Sequence, residues 1–239
     1  MATTAGRCWG TSLFACVATF IKGCGGSTSA TPATGTATGD AATPGNYLPL
    51  AVGMSWTYNI TSASGTTGQG AMTVQASENA PKAGDPALRV QTTLLDGATL
   101  AWEQTSGTSV VRYEEQQLSQ AGNVIVDKQY MPPILVLDES APHLVSGATW
   151  TESYMELQTP SSKGKATKEQ AVWTVEAVNE SVTVAAGTYT CIRVSRNHTT
   201  SKTPSSTTEW YAVGVGKVRE TGAGQNNDQT LELASVSMP

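Results

Sequence analysis

Phenylalanine is missing from nearly the whole chain. Its two copies, Phe14 and Phe20, lie in the first 24 residues, whereas Trp and Tyr number six and seven. Beyond residue 24 every large aromatic therefore carries an N–H or O–H, which suits a sheet with ring bodies inside and polar tips at a rim or cavity. Cysteine is scarce: Cys8, Cys16, Cys24 and Cys191. Once an N-terminal signal is removed, too few remain for an internal disulfide framework. Cys191 sits in TYTCIRV and reads as a small buried hydrophobe rather than a nucleophile. Clustered Lys and Arg are absent, which argues against nucleic acid as a partner and against a polybasic patch for anionic lipids. The two histidines, His143 and His198, have no spaced His or Cys partner, so no zinc or iron site and no cofactor are expected. No G-x-S-x-G elbow is present, and 127–138 holds too few acids for a calcium loop. Long stretches with apolar residues at i, i+3, i+4 and i+7 are also lacking, which removes the signal for amphipathic helices.

What is present begins with an address. Arg7 is the one charge before a short apolar run from Cys8 to Ile21, the layout of a secretory signal and too short to span a bilayer. Ile21, Lys22, Gly23 and Cys24 follow. They resemble the cleavage box of bacterial lipoproteins. That resemblance implies cleavage between Gly23 and Cys24, a diacylglyceryl group on the Cys24 thiol, and a membrane anchor. Gly25 in place of Asp implies, by the same resemblance, the outer membrane of a Gram-negative envelope, on its periplasmic or surface face. The alternative is an ordinary secretory signal cut after a small residue such as Ala30. Residues 24–45 hold one charge, Asp40, and no large apolar side chain, as expected of a flexible tether. Removing residues 1–23 takes away Arg7 and Lys22 and no acid, leaving 12 basic and 19 acidic side chains and a formal charge of −7.

The rest, 46–239, reads as one antiparallel β domain. Period-two runs recur: SWTYNI, AMTVQA, ALRVQTTLL, TLAWEQT, SVVRYEEQ, VIVDKQYM, TWTESYMEL, EQAVWTVEAV, TYTCIRVSR, TTEWYAV, KVRETG and QTLELASVS. Turn chemistry separates them, with Asp96-Gly97 and Ser106-Gly107 as hairpin signals. The expected fold is all-β, or β-rich α+β: a strongly curved antiparallel meander, a half-barrel of about ten to twelve strands. An internal echo, L-x-x-G-x-x-W-T, places Gly53 and Trp56 in one copy and Gly147 and Trp150 in the other. Each copy predicts a turn that launches a strand, with Gly supplying the conformation and Trp entering the core. Two similar halves, 46–131 and 144–239, would then share one sheet. Between them Pro132, Pro133 and Pro142 argue against a central strand and for a crossover or lid.

Three motifs stand in order: YLPLAVGMSWTYNI, then Ala186-Gly187-Thr188 before a strand, then Tyr211-Ala-Val-Gly214-Val-Gly216-Lys-Val. Together they resemble the TapB-like group of bacterial lipoproteins over most of 47–221. More distantly they are similar to the LolA/LolB carriers. The resemblance implies a curved sheet, with an apolar cavity in the second case, and no catalytic residue. The glycines of GVG serve turn geometry, because no Gly-Lys-Ser/Thr context makes them a phosphate loop.

Function is expected to be non-catalytic: an apolar ligand or an envelope protein held on the curved sheet, with Trp102 and Trp173 as cleft-lining candidates against plain core packing. A second reading is a structural or assembly protein with a filled core that recognises partners by a sheet edge or hairpin loops. A third is a hydrolase using the carboxylates Glu114/Glu115, Asp138/Glu139 or Glu152/Glu156. The sequons at Asn59, Asn179 and Asn197 matter only in a eukaryotic secretory path.

Overall fold

The computed structural model describes residues 39–160, 165–198, 205–223 and 228–239. Gly23, Cys24 and the signal segment lie outside them. Twelve antiparallel strands follow one another: β1 (Ser55–Ser62), β2 (Thr67–Asn79), β3 (Pro86–Thr93), β4 (Ala98–Ser106), β5 (Ser109–Leu118), β6 (Val124–Asp138), β7 (Thr149–Thr159), β8 (Thr167–Val184), β9 (Gly187–His198), β10 (Ser205–Ala212), β11 (Gly216–Ala223) and β12 (Gln229–Ser237). Each pairs with its neighbours in sequence. The meander then goes further than a half-barrel: β1 pairs with β12 and the sheet closes. The described residues include no α-helix, so the sheet covers its own concave face.

The echo marks a duplication that runs through strand register. Gly53 N donates to Val74 O and Gly147 N to Val175 O, at 2.9 and 2.8 Å. Met54 N reaches back to Ala51 O and Ala148 N to Val145 O, both at 3.0 Å. Gly53 and Gly147 have φ of 94° and 83°, a region open to glycine. Farther along, Val74 pairs with Val90 and, across a bulge, Ala76 with Arg89. Val175 pairs with Val194 and, across a bulge, Ala177 with Arg193. Arg89 then faces Trp102, and Arg193 faces Trp210. A further bulge follows each Trp. So β1–β6 and β7–β12 are two copies of one six-stranded unit, with the extra residue of each bulge, which bends a strand, at matching places.

One end of the barrel is plugged. Residues 39–54 and 139–148 meet there through Ala42 N to Leu144 O (2.7 Å) and Ser146 N to Asp40 O (2.8 Å). Glu139 accepts from Tyr47 N and Leu48 N at 2.9 and 3.2 Å. Residues 40–45, expected to belong to a free tether, are therefore partly bound, since Ala41 bridges to Val145 and Ala42 is buried. Below the plug the core contains Tyr47, Leu48, Trp56, Val74, Val90, Leu137, Leu144, Trp173, Ile192 and Leu233. β8 comes within 8 Å, Cα to Cα, of β11 and β12 across the interior. The β8–β9 turn folds over the same end, where Ala186 N donates to Leu233 O at 3.0 Å.

The proline segment differs from expectation. Pro132 and Pro133 lie inside β6, which stays a strand to Asp138. The prolines are tolerated because the β6–β7 ladder stops at Met131–Met155, while β5 continues to pair with β6 at Arg112–Ile134 and Val110–Leu137. Side chains replace the missing ladder. Glu152 accepts from Leu135 N at 2.6 Å, and Arg196 donates to Leu135 O at 3.4 Å. Only Ala141–His143 forms a short 3-10 turn in the expected crossover.

Candidate functional site

Pairing parity decides which side chains enter the barrel. Val74, Val90 and Ala101 are linked by facing pairs, and the first two belong to the core. On that face, Leu88 opposes Glu103, Glu103 opposes Arg112, and Ala101 opposes Glu115. Glu103 and Arg112 lie 2.7 Å apart, and Arg112 also pairs with Glu115. The second unit repeats the arrangement. Glu209 faces Val194 and Glu220 on the inner side. Lys217 lies between Glu209, at 2.8 Å, and Glu220. The interior thus holds two acid–base–acid triads, each contributed by the fourth and fifth strands of its unit.

The inward charges continue along the wall between them. Lys128 pairs with Glu156 at 3.4 Å. Glu156 faces Tyr130, and Glu169 faces Tyr154. Glu152 accepts from Trp173 Nε1 at 3.0 Å, and Arg196 lies over the Trp173 ring at 5.1 Å. Tyr154 Oη is 3.4 Å from His198 Nδ1. Tyr58, Tyr130, Tyr154 and Tyr211 are all buried. Seven acids (Glu103, Glu115, Glu152, Glu156, Glu169, Glu209, Glu220) thus share the described interior with four bases (Arg112, Lys128, Arg196, Lys217).

These groups are inward-facing but not fully buried. The side chains of Arg112, Glu115, Lys128, Glu156, Lys217 and Glu220 keep between 13 and 25% exposure. They lie on the inward face of the ladder and remain reachable by solvent. Electrostatics follow from pairing. Burial alone would raise the Glu209 carboxyl, but Lys217 and Arg196 outweigh it and hold it below the usual range. Burial opposes the Lys217 charge, yet Glu209 and Glu220 hold the ammonium well above its ordinary value. Arg112 is kept charged in the same way against burial by Glu103 and Glu115. Glu169 has no base in contact among the described residues. Burial, then the neighbouring Glu156, raises its pKa, the pull of Lys128 only partly offsetting them, and its Oε2 is buried without a partner. Burial, then Arg196 and Lys128, pushes His198 down to about 4.

The expected site residues fall in different places. Trp102 shares its face with Arg89 and Glu114, the outer one. It is 2% exposed, packed against Ala80 and Ala87 beneath the β2–β3 turn, and its Nε1 donates to Glu78 at 3.0 Å. It therefore does not line the interior. Trp173 does face inward but is 1% exposed, stacked 5.8 Å from Trp150 within the core. Trp150 in turn stacks on His143 at 3.7 Å. Both launch glycines act as expected, and Gly187, Gly214 and Gly216 start β9, turn β10 into β11, and start β11. Trp56 and Gly216 are brought together, with Trp56 Nε1 donating to Val215 O at 2.6 Å. Cys191 is buried on the outer face with Val182, Trp210, Ala212 and Val218, and burial pushes its thiol up to about 12.

The candidate carboxylates are engaged elsewhere. Glu114 faces outward and accepts from Lys82 N at 2.7 Å, while its neighbour Glu115 faces inward, so the two are not a working pair. Asp138 holds His143 Nδ1 at 2.7 Å and Glu139 holds the plug. Glu152 and Glu156 share the inner face, but one anchors Leu135 and Trp173 and the other pairs with Lys128. Among the described residues every strand has a neighbour on both sides, and unpaired backbone is confined to local gaps, on β6 and β7 beyond Met131–Met155 and on β11 outside Arg219–Thr221, so no strand offers a full-length free edge. The inward charges were missed because period two does not say which face is inside. The signal available was the repeated spacing Arg112–Glu115 and Lys217–Glu220.

Comparison with known proteins bears on the fold. A family model described as DUF3108-like matches residues 149–231, which spans β7 to the first part of β12, nearly the whole second unit. A crystal structure described as an exported protein with YmcC-like fold from Bacteroides fragilis NCTC 9343 is similar at 16% identity. The match covers 80% of this chain and 99% of that one, with a TM-score of 0.50. A lipoprotein structure from Parabacteroides distasonis ATCC 8503 matches at 15% identity over 80% of this chain and 98% of that one, with a TM-score of 0.34. No curated protein matches. The resemblances found are DUF3108-like and YmcC-like, and they do not carry the TapB-like or LolA/LolB expectation.

Proposed function

We propose that this chain is a cell-envelope lipoprotein, held through Cys24 at the outer membrane of a Gram-negative bacterium, and that its barrel is a non-catalytic binding module for a polar ligand or a polar segment of an envelope protein. One observation carries the reading: inside a barrel plugged at one end, paired charges remain in contact with solvent. A wall of that kind suits a ligand that exchanges hydrogen bonds and charge with Glu115, Glu156, Glu169 and Lys128. It suits an apolar ligand poorly, because stripping water from charged groups is costly. Trp102 and Trp173, the residues that first suggested an apolar cleft, are both occupied by packing. The non-catalytic part rests on the engagement of each candidate carboxylate by a structural partner.

Native mass spectrometry of the full chain, extracted gently in detergent, tests the binding role. A discrete added mass, lost on denaturation and lost from the Glu156→Gln/Glu169→Gln variant, is the expected result. A bare lipidated mass from several preparations, with no polar compound or envelope protein retained, overturns it in favour of a scaffold. The anchor is tested separately, since Cys24→Ser should release the protein from the membrane fraction.

A further inference from the structure

A pocket lies at the plugged end of the barrel. It measures about 360 Å³ and opens between the N-terminal segment, the start of β9 and the β10–β11 turn. Its size falls at the lower end of small-ligand sites, roughly 300–1,000 Å³. Tyr47, Asn179, Thr188, Tyr189, Thr190 and Val213 are among its walls, and no Asp, Glu, Lys, Arg or His lines it. That sets it apart from the charged interior.

The walls are held in place for contact. The Tyr47 phenol donates to Thr43 O at 2.9 Å and the Tyr189 phenol to Ala186 O at 3.1 Å. Both rings are thereby fixed, and both oxygens still accept. Tyr47 is buried and forms the floor, while Tyr189 is half-exposed. Asn179 is the one non-glycine residue of positive φ among the described residues, at 56°. It sits where the β8–β9 ladder skips from Ala177–Arg193 to Glu180–Cys191. Left-handed backbone at a non-glycine residue is costly and gathers at binding sites. Its carboxamide has no partner among the described residues.

The geometry points to an uncharged saccharide as the ligand of this pocket. A pyranose ring has one face of C–H groups, which packs on the Tyr189 ring. Its hydroxyls can donate and accept, matching the exposed Asn179 carboxamide and Thr190 hydroxyl, while Thr188 Oγ1 is already 3.0 Å from Thr183 Oγ1. A charged ligand would find no counter-charge here. A wholly apolar one would cover the Asn179 amide and the Thr190 hydroxyl without replacing the water that an exposed group meets.

Saturation-transfer NMR on the full chain in detergent tests this with chitobiose, maltose and cellobiose as probes, and galacturonate and trialanine as comparisons. At least one neutral disaccharide should receive saturation, with millimolar affinity. Asn179→Gly keeps the left-handed backbone and removes the amide, so it should weaken binding about tenfold without lowering the melting temperature. Tyr189→Ala should abolish it. The proposal is overturned if no neutral saccharide binds up to about 10 mM. It is equally overturned if Asn179→Gly binds as well as the parent, or if galacturonate or trialanine binds better than every neutral sugar.

Discussion

The indole of Trp56 occupies the space that a side chain on residue 216 would need. A Cβ built on Gly216 would lie 2.8 Å from Trp56 Nε1 and 3.2 Å from its Cε2. Gly216 also has φ of 101°. The β11–β12 ladder spans only Arg219–Thr221, so Val215 and Lys217 have no partner on β12. Trp56 and Tyr58, from β1, donate to their carbonyl oxygens at 2.6 and 3.1 Å. Two sequence motifs 160 residues apart are thus one contact, and it seals the barrel where its own backbone ladder is short.

Gly216→Ala should therefore cost more than Gly214→Ala. Gly214 has φ of 71° but nothing within 4 Å of its Cβ position, so its cost is backbone strain alone, about 1 kcal/mol. Gly216→Ala adds overpacking against a buried indole, for a total of about 3 kcal/mol. Urea unfolding of both variants, followed by Trp fluorescence, measures the difference.

Lys217→Met leaves Glu209 and Glu220 without their shared base and should destabilise the barrel by about 3 kcal/mol at pH 7. The pH dependence should also change sign. In the parent, the Glu209 carboxyl is held below its ordinary value, so its stabilisation is present above that value and lost as pH falls through the folded pKa. In the variant, with Lys217 gone, burial raises the Glu209 carboxyl, so acidification from pH 7 towards 5 should restore stability. Urea midpoints across that range decide it.

His198 contributes in the opposite charge state. Its folded pKa of about 4 lies below the ordinary 6.5, so between those values the unfolded chain binds the extra proton. Stability should fall as pH drops from 6.5 to 4, and His198→Gln should flatten that part of the profile. Melting temperatures at pH 7 and 5 for parent and variant are the check.

Glu152→Ala strips partners from Leu135 N and Trp173 Nε1 together. Leaving these donors unpaired should cost about 2–3 kcal/mol. Glu152→Gln keeps one acceptor and should cost about half as much. Chemical denaturation separates the two, and protection of the Leu135 amide in hydrogen exchange should disappear in Glu152→Ala.

The strands were legible because each is a period-two run bounded by turn residues, and all twelve runs read from the sequence became strands. Launch turns were legible because Gly53 and Gly147 stand at the same offset from a Trp. Closure was not, since nothing local in SWTYNI and QTLELASVS says that they face each other. The polar interior was hidden for another reason. AWEQT alternates, but the larger apolar residue, Trp102, points outward under a turn while Glu103 points inward. A barrel of twelve strands has more interior than side chains readily fill, and ion pairs occupy part of it. Pro132 and Pro133 misled because the argument against central prolines assumes a ladder on both sides, and β6 has lost one of them there.

Joining β1 to β12 has a consequence for how the molecule comes into being. The seam unites β1 with β12, the first and last strands of the barrel, so no shorter run of its strands can complete the ring. Until the final strand arrives, the growing sheet presents two unsatisfied borders, open to misassociation. A chaperone that shields those borders would have to release them in time for the terminal strand to dock. Loss of β12 would leave an open ribbon.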